Sequence, residues 1–410
     1  METPHVITEE QLERENVEIT RRYKEMLQNT YITLSDDDKK LIRKAFDLAV
    51  DAHKDQRRKT GEPYIYHPIA VAKIVADEIG LGATSIAAAL MHDVVEDTDY
   101  TVEDIEKLFG KKIAKIIDGL TKISVLNRQD LSIQSENYKK LLLTLSEDVR
   151  VILIKIADRL HNMRTLDSMR EDKQVKIASE TIFIYAPLAH RMGLYNIKSE
   201  LEDLSLKYTQ PEAYHNIEQK LTETKTDREK YINDFCKLIN EKLEAEGLEF
   251  EIKGRSKSIN SIYRKTVTQG IPFEEVFDLF AIRVIYRSDR KNEKFIAWKV
   301  YSLITDLFIP NPKRMRDWIS QPKTTGYESL HVTVMGPQAR WVEVQIRSER
   351  MDEVAEMGIA AHYKYKENVS EDDTKVDEWI HQVREMLEQE DTKDAVEFMD
   401  NFKFNLYSKE

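Results

Sequence analysis

The sequence predicts a multidomain protein of class α followed by α+β: an all-α domain leading into one built on a mixed sheet. Three observations predict it. The chain has 410 residues, too many for one compact core at roughly 100–200 residues per domain. From about residue 35 to 240 the apolar residues recur with helical period, whereas after Gly247 they alternate with period two. With only 12 Gly and 10 Pro, the chain lacks the turn residues that an all-β fold consumes.

SDDDKKLIRKAFDLAVDAHKDQ opens with an N-cap serine, Ser35, and a run of acids. It then places Leu41, Ala45, Leu48 and Ala52 on one stripe, which predicts a helix. TSIAAALMHDVVED and SEDVRVILIKIADRLHNM also read as helices. The second is apolar nearly all round from Val149 to Ala157 and is expected to be central and buried. The highly charged stretch 199–245 is expected to hold one long antiparallel helical pair linking two globular parts. LEFEIKG, DLFAIRVIYR, HVTVM and WVEVQI are expected strands, with helices at SINSIYRKTV and AWKVYSLITDLF. Asp372 to Met399 reads as a further charged, amphipathic helix. NFKFNLYSKE then begins another alternating strand, as a fragment of something longer would.

The composition excludes several classes. A formal charge of −12 from 62 Lys+Arg and 74 Asp+Glu argues against a general coat for DNA or RNA. No apolar run approaches the roughly 18 residues of a spanning helix, and the acidic start METPHVITEEQLEREN is no secretory signal. The single cysteine, Cys236, allows neither an internal disulfide nor a cysteine-based zinc site. A cytoplasmic protein with no membrane contact is the expectation.

A first candidate site lies in the helical part. His92, Asp93, Glu96 and Asp97 follow the apolar run IAAALM, and on a helix His92 pairs with Glu96 and Asp93 with Asp97 over successive turns. Such groups are costly after a buried run unless paired or metal-bound. Asp158 in IADRLHN and His67 in YIYHPIA pose the same problem. Two imidazoles and two carboxylates suit Mn²⁺, Fe²⁺ or Zn²⁺. A metal-bound water would be a nucleophile near neutral pH, with spare acids to manage its proton. His53, His161 and His190 read as packing or capping histidines.

A second candidate site follows in the mixed part. GRSKSINSIYRK carries Arg255, Lys257, Arg264 and Lys265 with no acid among them, and its strand, turn and Ser-rich helix start (Ser261 included) offer N–H groups and cations to phosphates. Lys313, Arg314, Arg316 and Lys323 add a second cluster. Local field, not net charge, decides anion binding. Asp278 and Glu343 stand on expected strands, Glu343 on the face opposite Val342, Val344 and Ile346. An acid from each of two neighbouring strands suits Mg²⁺ in nucleotidyl or pyrophosphoryl transfer.

The ordered set His67, His92-Asp93, Asp158 resembles the metal pattern of HD phosphohydrolases. HPIAVAKIVADEIGLGATSIAAALMHDVVEDT with KIADRLHNMRTL is similar to the hydrolase domain of the RelA/SpoT homologue family, the (p)ppGpp synthetase/hydrolases of the stringent response. The resemblance implies that His67, His92, Asp93 and Asp158 hold Mn²⁺ and that Glu96 and Asp97 act on the attacking water. It implies that Arg58 lies against the guanine, with Lys59, Asn162 and Thr165 as further nucleotide contacts. A planar, weakly hydrated guanidinium suits a purine face.

GRSKSINSIYRK, FDLFAIRVI, QPKTTGYESLH, WVEVQIRS and AEMGIAAHYKYK are similar, in order, to the same family's synthetase domain, of nucleotidyltransferase-like fold. This implies that Arg255, Lys257, Ser261, Arg264 and Lys265 contact ATP. Asp278 and Glu343 would be Mg²⁺-binding and catalytic acids, with Glu343 activating the ribose 3′-hydroxyl. Tyr327 would stack on the acceptor guanine beside Lys323 and His331. Arg314-Met-Arg316-Asp317 matches a motif that is basic in bifunctional members, with Arg316 in place of Lys.

The expected organisation is an HD-type hydrolase domain over 1–195, a helical linker over 196–245, a synthetase domain over 246–370, and a C-terminal helix opening a regulatory region over 371–410. Its substrates would be ATP, GDP or GTP, and ppGpp. Family members continue into regions that sense ribosome-bound tRNA. The linker is expected to transmit nucleotide occupancy between the two activities. Competing readings are a hydrolase with a regulatory synthetase domain, a non-catalytic guanine-nucleotide sensor, and an HD-linked nucleotidyltransferase acting on tRNA ends.

Overall fold

A computed structural model describes residues 8–30, 34–127, 148–273, 276, 279–323 and 326–358. The helix expected over 372–399, the terminal strand and Asp278 lie outside them. The chain divides into two compact units between Ser168 and Met169. No helix of the described residues is long and apolar enough to cross a membrane.

The first unit is helical: α1 (Glu9–Leu27), α2 (Asp36–Ala52), α3 (Tyr66–Lys73), α4 (Ala83–Leu90), α5 (Val94–Asp97), α6 (Val102–Phe109), α7 (Lys111–Asn127) and α8 (Val149–Arg164). Ser35 caps α2 in a capping box with Asp38, as the sequence predicts. The buried stripe of α2 is rotated from the expected one. Ile42, Ala45, Phe46 and Ala49 are buried, whereas Leu41, Leu48 and Ala52 are half-exposed, because Phe46 packs on Tyr23 of α1 with ring centroids 4.1 Å apart. Helix α8 is the expected central element, buried without a break from Val151 to Ala157. It carries Lys155 inside this run, beside Asp158.

The second unit opens with α9 (Glu171–Glu180), which passes through a π-helical stretch, Thr181–Tyr185, into α10 (Ala186–Arg191). The charged stretch then forms three helices, not one long pair: α11 (Tyr195–Thr209), α12 (Pro211–Glu223) and α13 (Lys225–Ala245). Pro211 causes the first break, since the residue before a proline is pushed out of the α region, and Gln210 sits at φ −139° and ψ 62°. Helix α13 buries Tyr231, Phe235, Ile239 and Leu243, spaced four apart, in the core of the sheet that follows.

That sheet comprises β1 (Phe250–Ser256), β2 (Phe280–Tyr286), β3 (Ile309–Pro310), β4 (Arg316–Asp317), β5 (Leu330–Met335) and β6 (Trp341–Ser348). Its order is β1-β2-β6-β5-β3, with β4 on β5. Strands β2 and β6 are parallel and the other pairs antiparallel. Helices α14 (Ile259–Thr268), α15 (Glu293–Leu307) and α16 (Glu349–Met357) complete the unit. Val342, Val344 and Ile346 are fully buried against the residues of α13 and α15. Trp341, Glu343 and Gln345 alternate onto the other face, as period two requires.

Candidate active sites

In the first unit His67 is the second residue of α3 and Asp158 lies on α8. His92 and Asp93 are not on a continuous helix. α4 ends at Leu90, and Met91–Asp93 form a turn before α5. The turn re-aims the pair inward, because His92 Nδ1 reaches back to the Ala89 carbonyl at 2.7 Å. That bond makes Nδ1 the donor and leaves Nε2 facing carboxylates.

Four side chains converge there. His92 Nε2 lies 2.9 Å from Asp93 Oδ2 and 3.9 Å from Asp158 Oδ1. His67 Nε2 lies 3.2 Å from Asp158 Oδ1 and 3.8 Å from Asp93 Oδ2. His67, His92 and Asp93 each present a ligand atom within 4.8 Å of the others. Two buried imidazole nitrogens aimed at one buried and one half-buried carboxylate need a cation or protons between them. Among the described residues, His92 Nε2 is buried and makes no well-aligned hydrogen bond despite its approach to Asp93, which fits a divalent metal. Without an ion, burial would lower His92, yet Asp93 and Asp158 raise it to about 9. Burial dominates at His67 and lowers it. Burial pushes Asp93 and Asp158 upward, and the surrounding positive charge overrides it, led by His92 at Asp93 and by Lys155 at Asp158.

The surrounding shell includes residues that sequence reasoning missed. Tyr64 donates to Asp93 Oδ2 at 2.6 Å and reaches Asp97 Oδ2 at 3.3 Å. His161, expected to be mere packing, places Nδ1 2.7 Å from His67 Nδ1 and is lowered to about 3 by burial and then by His67. One spacing could have revealed it: Asp158, His161, Asn162 and Thr165 share one face of α8. Asn162 donates to Asp158 Oδ1 at 2.7 Å. Arg58 Nη2 donates to Thr165 Oγ1 at 3.3 Å, which brings two of the expected nucleotide contacts together. Lys59, next to Arg58, is exposed; Glu96 is half-buried and Asp97 exposed on α5.

In the second unit a cleft on the open face of the sheet is lined by Ser199, Arg255, Lys257, Ser261, Glu343 and Gln345, among others. The register explains it: Arg255 pairs with Ala281, and Ala281 with Glu343, so cation and acid stand level on the two strands that flank β2. Gln345 Nε2 donates to Glu343 Oε1 at 2.8 Å. His331 Nδ1 lies 3.7 Å from the same oxygen, and its Nε2 lies 2.8 Å from the Tyr327 hydroxyl. Burial lowers His331 to about 4, against the pull of Glu343. Lys323 Nζ lies 5.0 Å over the Trp318 ring. Arg264 and Lys265 stand further along α14 and Arg316 on β4, and none of the three lines this cleft among the described residues.

Residues 45–195 match the model of the HD domain, and residues 254–370 match a region found in RelA / SpoT proteins. The chain is 44% identical to the GTP pyrophosphokinase of Myxococcus xanthus, over 92% of this chain and 49% of that one. It is 45% identical to the probable guanosine-3′,5′-bis(diphosphate) 3′-pyrophosphohydrolase of Synechocystis, over 90% and 48%. It is 41% identical to the bifunctional (p)ppGpp synthase/hydrolase SpoT of Escherichia coli, over 92% and 53%. The chain thus spans about half the length of the curated relatives it matches.

Proposed function

Since the chain belongs to the RelA/SpoT family, we propose that it both makes and degrades (p)ppGpp, with hydrolysis in residues 1–195, synthesis in 246–370, and 196–245 joining them. The observation that carries this reading is the convergence of His67, His92, Asp93 and Asp158 in one unit, in a chain whose other unit sets Glu343 in a cationic cleft.

Mn²⁺ held by His67, His92, Asp93 and Asp158 would supply a water acidic enough to ionise near neutral pH. The chain's own residues do the rest. Arg58 lies against the guanine and Thr165, with Lys59 and Asn162 as further contacts. Asn162 and Tyr64 hold Asp158 and Asp93 by hydrogen bonds. Glu96 and Asp97 take the proton from the attacking water. Water adds to the phosphorus on the ribose 3′-oxygen, that P–O bond breaks, and pyrophosphate leaves GDP or GTP behind.

For synthesis, Mg²⁺ held by Glu343 with Asp278 would offset charge on the ATP phosphates. Glu343 accepts the 3′-hydroxyl proton while Gln345 orients its carboxylate. Arg255, Lys257 and Ser261 hold the phosphates, with Arg264, Lys265 and Arg316 as outer cations. Tyr327 stacks on the acceptor guanine, with Lys323 and His331 beside it. The 3′-oxygen bonds the β-phosphorus of ATP, the α–β bridge breaks, and AMP leaves. The protein would work in the cytoplasm, and regulatory regions of a longer protein would meet ribosome and tRNA.

The test is direct. The chain should release AMP from ATP plus GDP with Mg²⁺, and release pyrophosphate from ppGpp with Mn²⁺ but not in chelator. Hydrolysis without AMP release would leave a hydrolase with a regulatory second unit. Absence of both would leave a nucleotide sensor.

A further inference from the structure

Helix α11 lines the cleft of the second unit through Ser199 and makes two further contacts, one with the start of α14 and one with Tyr327. At one end Asp203, half-buried, accepts hydrogen bonds from the backbone N–H of Asn260 at 2.7 Å and of Ile259 at 3.2 Å. These are first-turn amides of α14, which have no partner within their own helix. Ser258 Oγ takes the next, from Ser261, at 3.3 Å, and Ile262 already bonds the Ser258 carbonyl at 3.1 Å. The start of α14 is therefore satisfied from inside the chain. This corrects the expectation that its amides are offered to phosphate: the side chains of Arg255, Lys257 and Ser261 face the cleft instead. Where they stand depends on how the turn and α14 are held, and a carboxylate bonded to two amides is a stiff, charge-assisted hold.

At the other end, roughly two helical turns earlier on α11 and about 12 Å along its axis, the Tyr195 ring meets Tyr327 edge-on. The centroids are 5.7 Å apart and the planes 79° apart. Tyr327 is itself bonded to His331. Between these contacts Asn196 donates to Glu356 of α16, and Ser199 lines the cleft. One rigid helix thus fixes the mounting of both substrate ends.

We propose that α11 is a positioning rail for the synthesis site, with Asp203 setting the ATP-phosphate end and Tyr195 the guanine end. Neither touches the reacting atoms. The proposal rests on the assignment of those two ends to ATP and to the acceptor guanine.

The two contacts are separable, so the test is a crossed one on the whole chain. Asp203→Asn keeps the size of the side chain but sets an amide N–H₂ against a backbone N–H. It should raise the KM for ATP, and the Kd of a non-hydrolysable ATP analogue measured by calorimetry, by about tenfold. The KM for GDP should stay within about twofold. Tyr195→Leu should do the reverse, raising the KM for GDP and leaving the analogue's Kd unmoved. A merely structural role would shift the melting temperature and lower kcat with both KM values unchanged, and that result overturns the rail. So does either variant moving both substrates equally. Should Asp203→Asn fail to fold, Asp203→Glu, which keeps the charge but displaces it by a methylene, must show the same ATP-selective loss. If the wild-type chain neither binds the analogue nor releases AMP, the assignment of the cleft falls and takes the rail with it. If the wild type does both and the variants match it, only the rail falls.

Discussion

In the first unit, His67, His92 and Asp93 are 4%, 0% and 8% exposed and hold one another through contacts below 4 Å. In the second, Glu343 stands on the open face of a sheet, met by cations from a strand and the turn before a helix. The first is a charge cluster sealed into an apolar core, where desolvation makes a central cation the natural partner. The second is more open, with Arg255, Lys257 and Glu343 half-buried around a cleft. One site is closed by burial and the other is open, so the two should fail in different ways.

The largest effects come from separating them. Asp93→Ala removes a carboxylate to which both imidazoles and Tyr64 are directed, and ppGpp hydrolysis should drop by at least about 10³-fold. AMP release from ATP and GDP should persist near the wild-type rate. Glu343→Gln should do the converse, costing synthesis about 10²–10⁴-fold with hydrolysis retained. If each variant, still folded by circular dichroism, loses both activities, the contrast between two independent sites is wrong.

A smaller effect sharpens what burial does. Tyr64→Phe deletes only the hydroxyl that bonds Asp93 at 2.6 Å. Partners of this kind are worth about 10–100-fold in metal affinity or activity. The variant should therefore weaken Mn²⁺ binding, read by calorimetry in the absence of nucleotide. Unchanged affinity would mean that Asp93 is held by the turn alone.

Burial also explains which parts could be read in advance. His67, His92, Asp93 and Asp158 betray themselves because polar residues inside apolar runs need a reason to be there. The alternation of β6 places Glu343 opposite its valines for an equally local reason. The turn at Met91–Asp93 was invisible, since IAAALMHDVVED keeps helical composition straight through it, and only the His92–Ala89 bond reveals the break. His161 depends on how closely α3 and α8 approach, and Tyr64 on how closely the segment before α3 meets Asp93 and Asp97, distances that no local pattern encodes. Asp203 shares a charged helix with Glu200 and Glu202, and nothing in its neighbourhood marks it as the acid that bonds the start of α14. The stripe of α2 is ambiguous in the sequence because Leu41 stands next to Ile42 and Leu48 next to Ala49, which offers a second apolar period rotated by one position.

The smallest prediction concerns Asp203 itself and separates its mounting role from its contribution to stability. Burial raises its carboxyl from 3.8 to about 6, although the amides of Asn260 and Ile259 pull the other way. Glu202 and Lys198 on its own helix act on it in opposite senses, and Tyr214 of α12 also faces it. Between those two pH values the folded chain holds more of this proton than the unfolded chain does. Stability therefore falls as pH rises through that window and levels off above it. The shift corresponds to at most about 3 kcal/mol. In Asp203→Asn this component is absent, so the variant should gain on the wild type between pH 4 and pH 7 by that order or less. Tryptophan fluorescence in denaturant reads it, since Trp298, Trp318 and Trp341 lie in the second unit and the first unit's described residues hold no tryptophan. A carboxylate kept ionised at neutral pH against the interest of the fold is what a positioning role requires. A gap between variant and wild type that does not change with pH would mean that the Asp203 carboxyl titrates normally and carries no such cost.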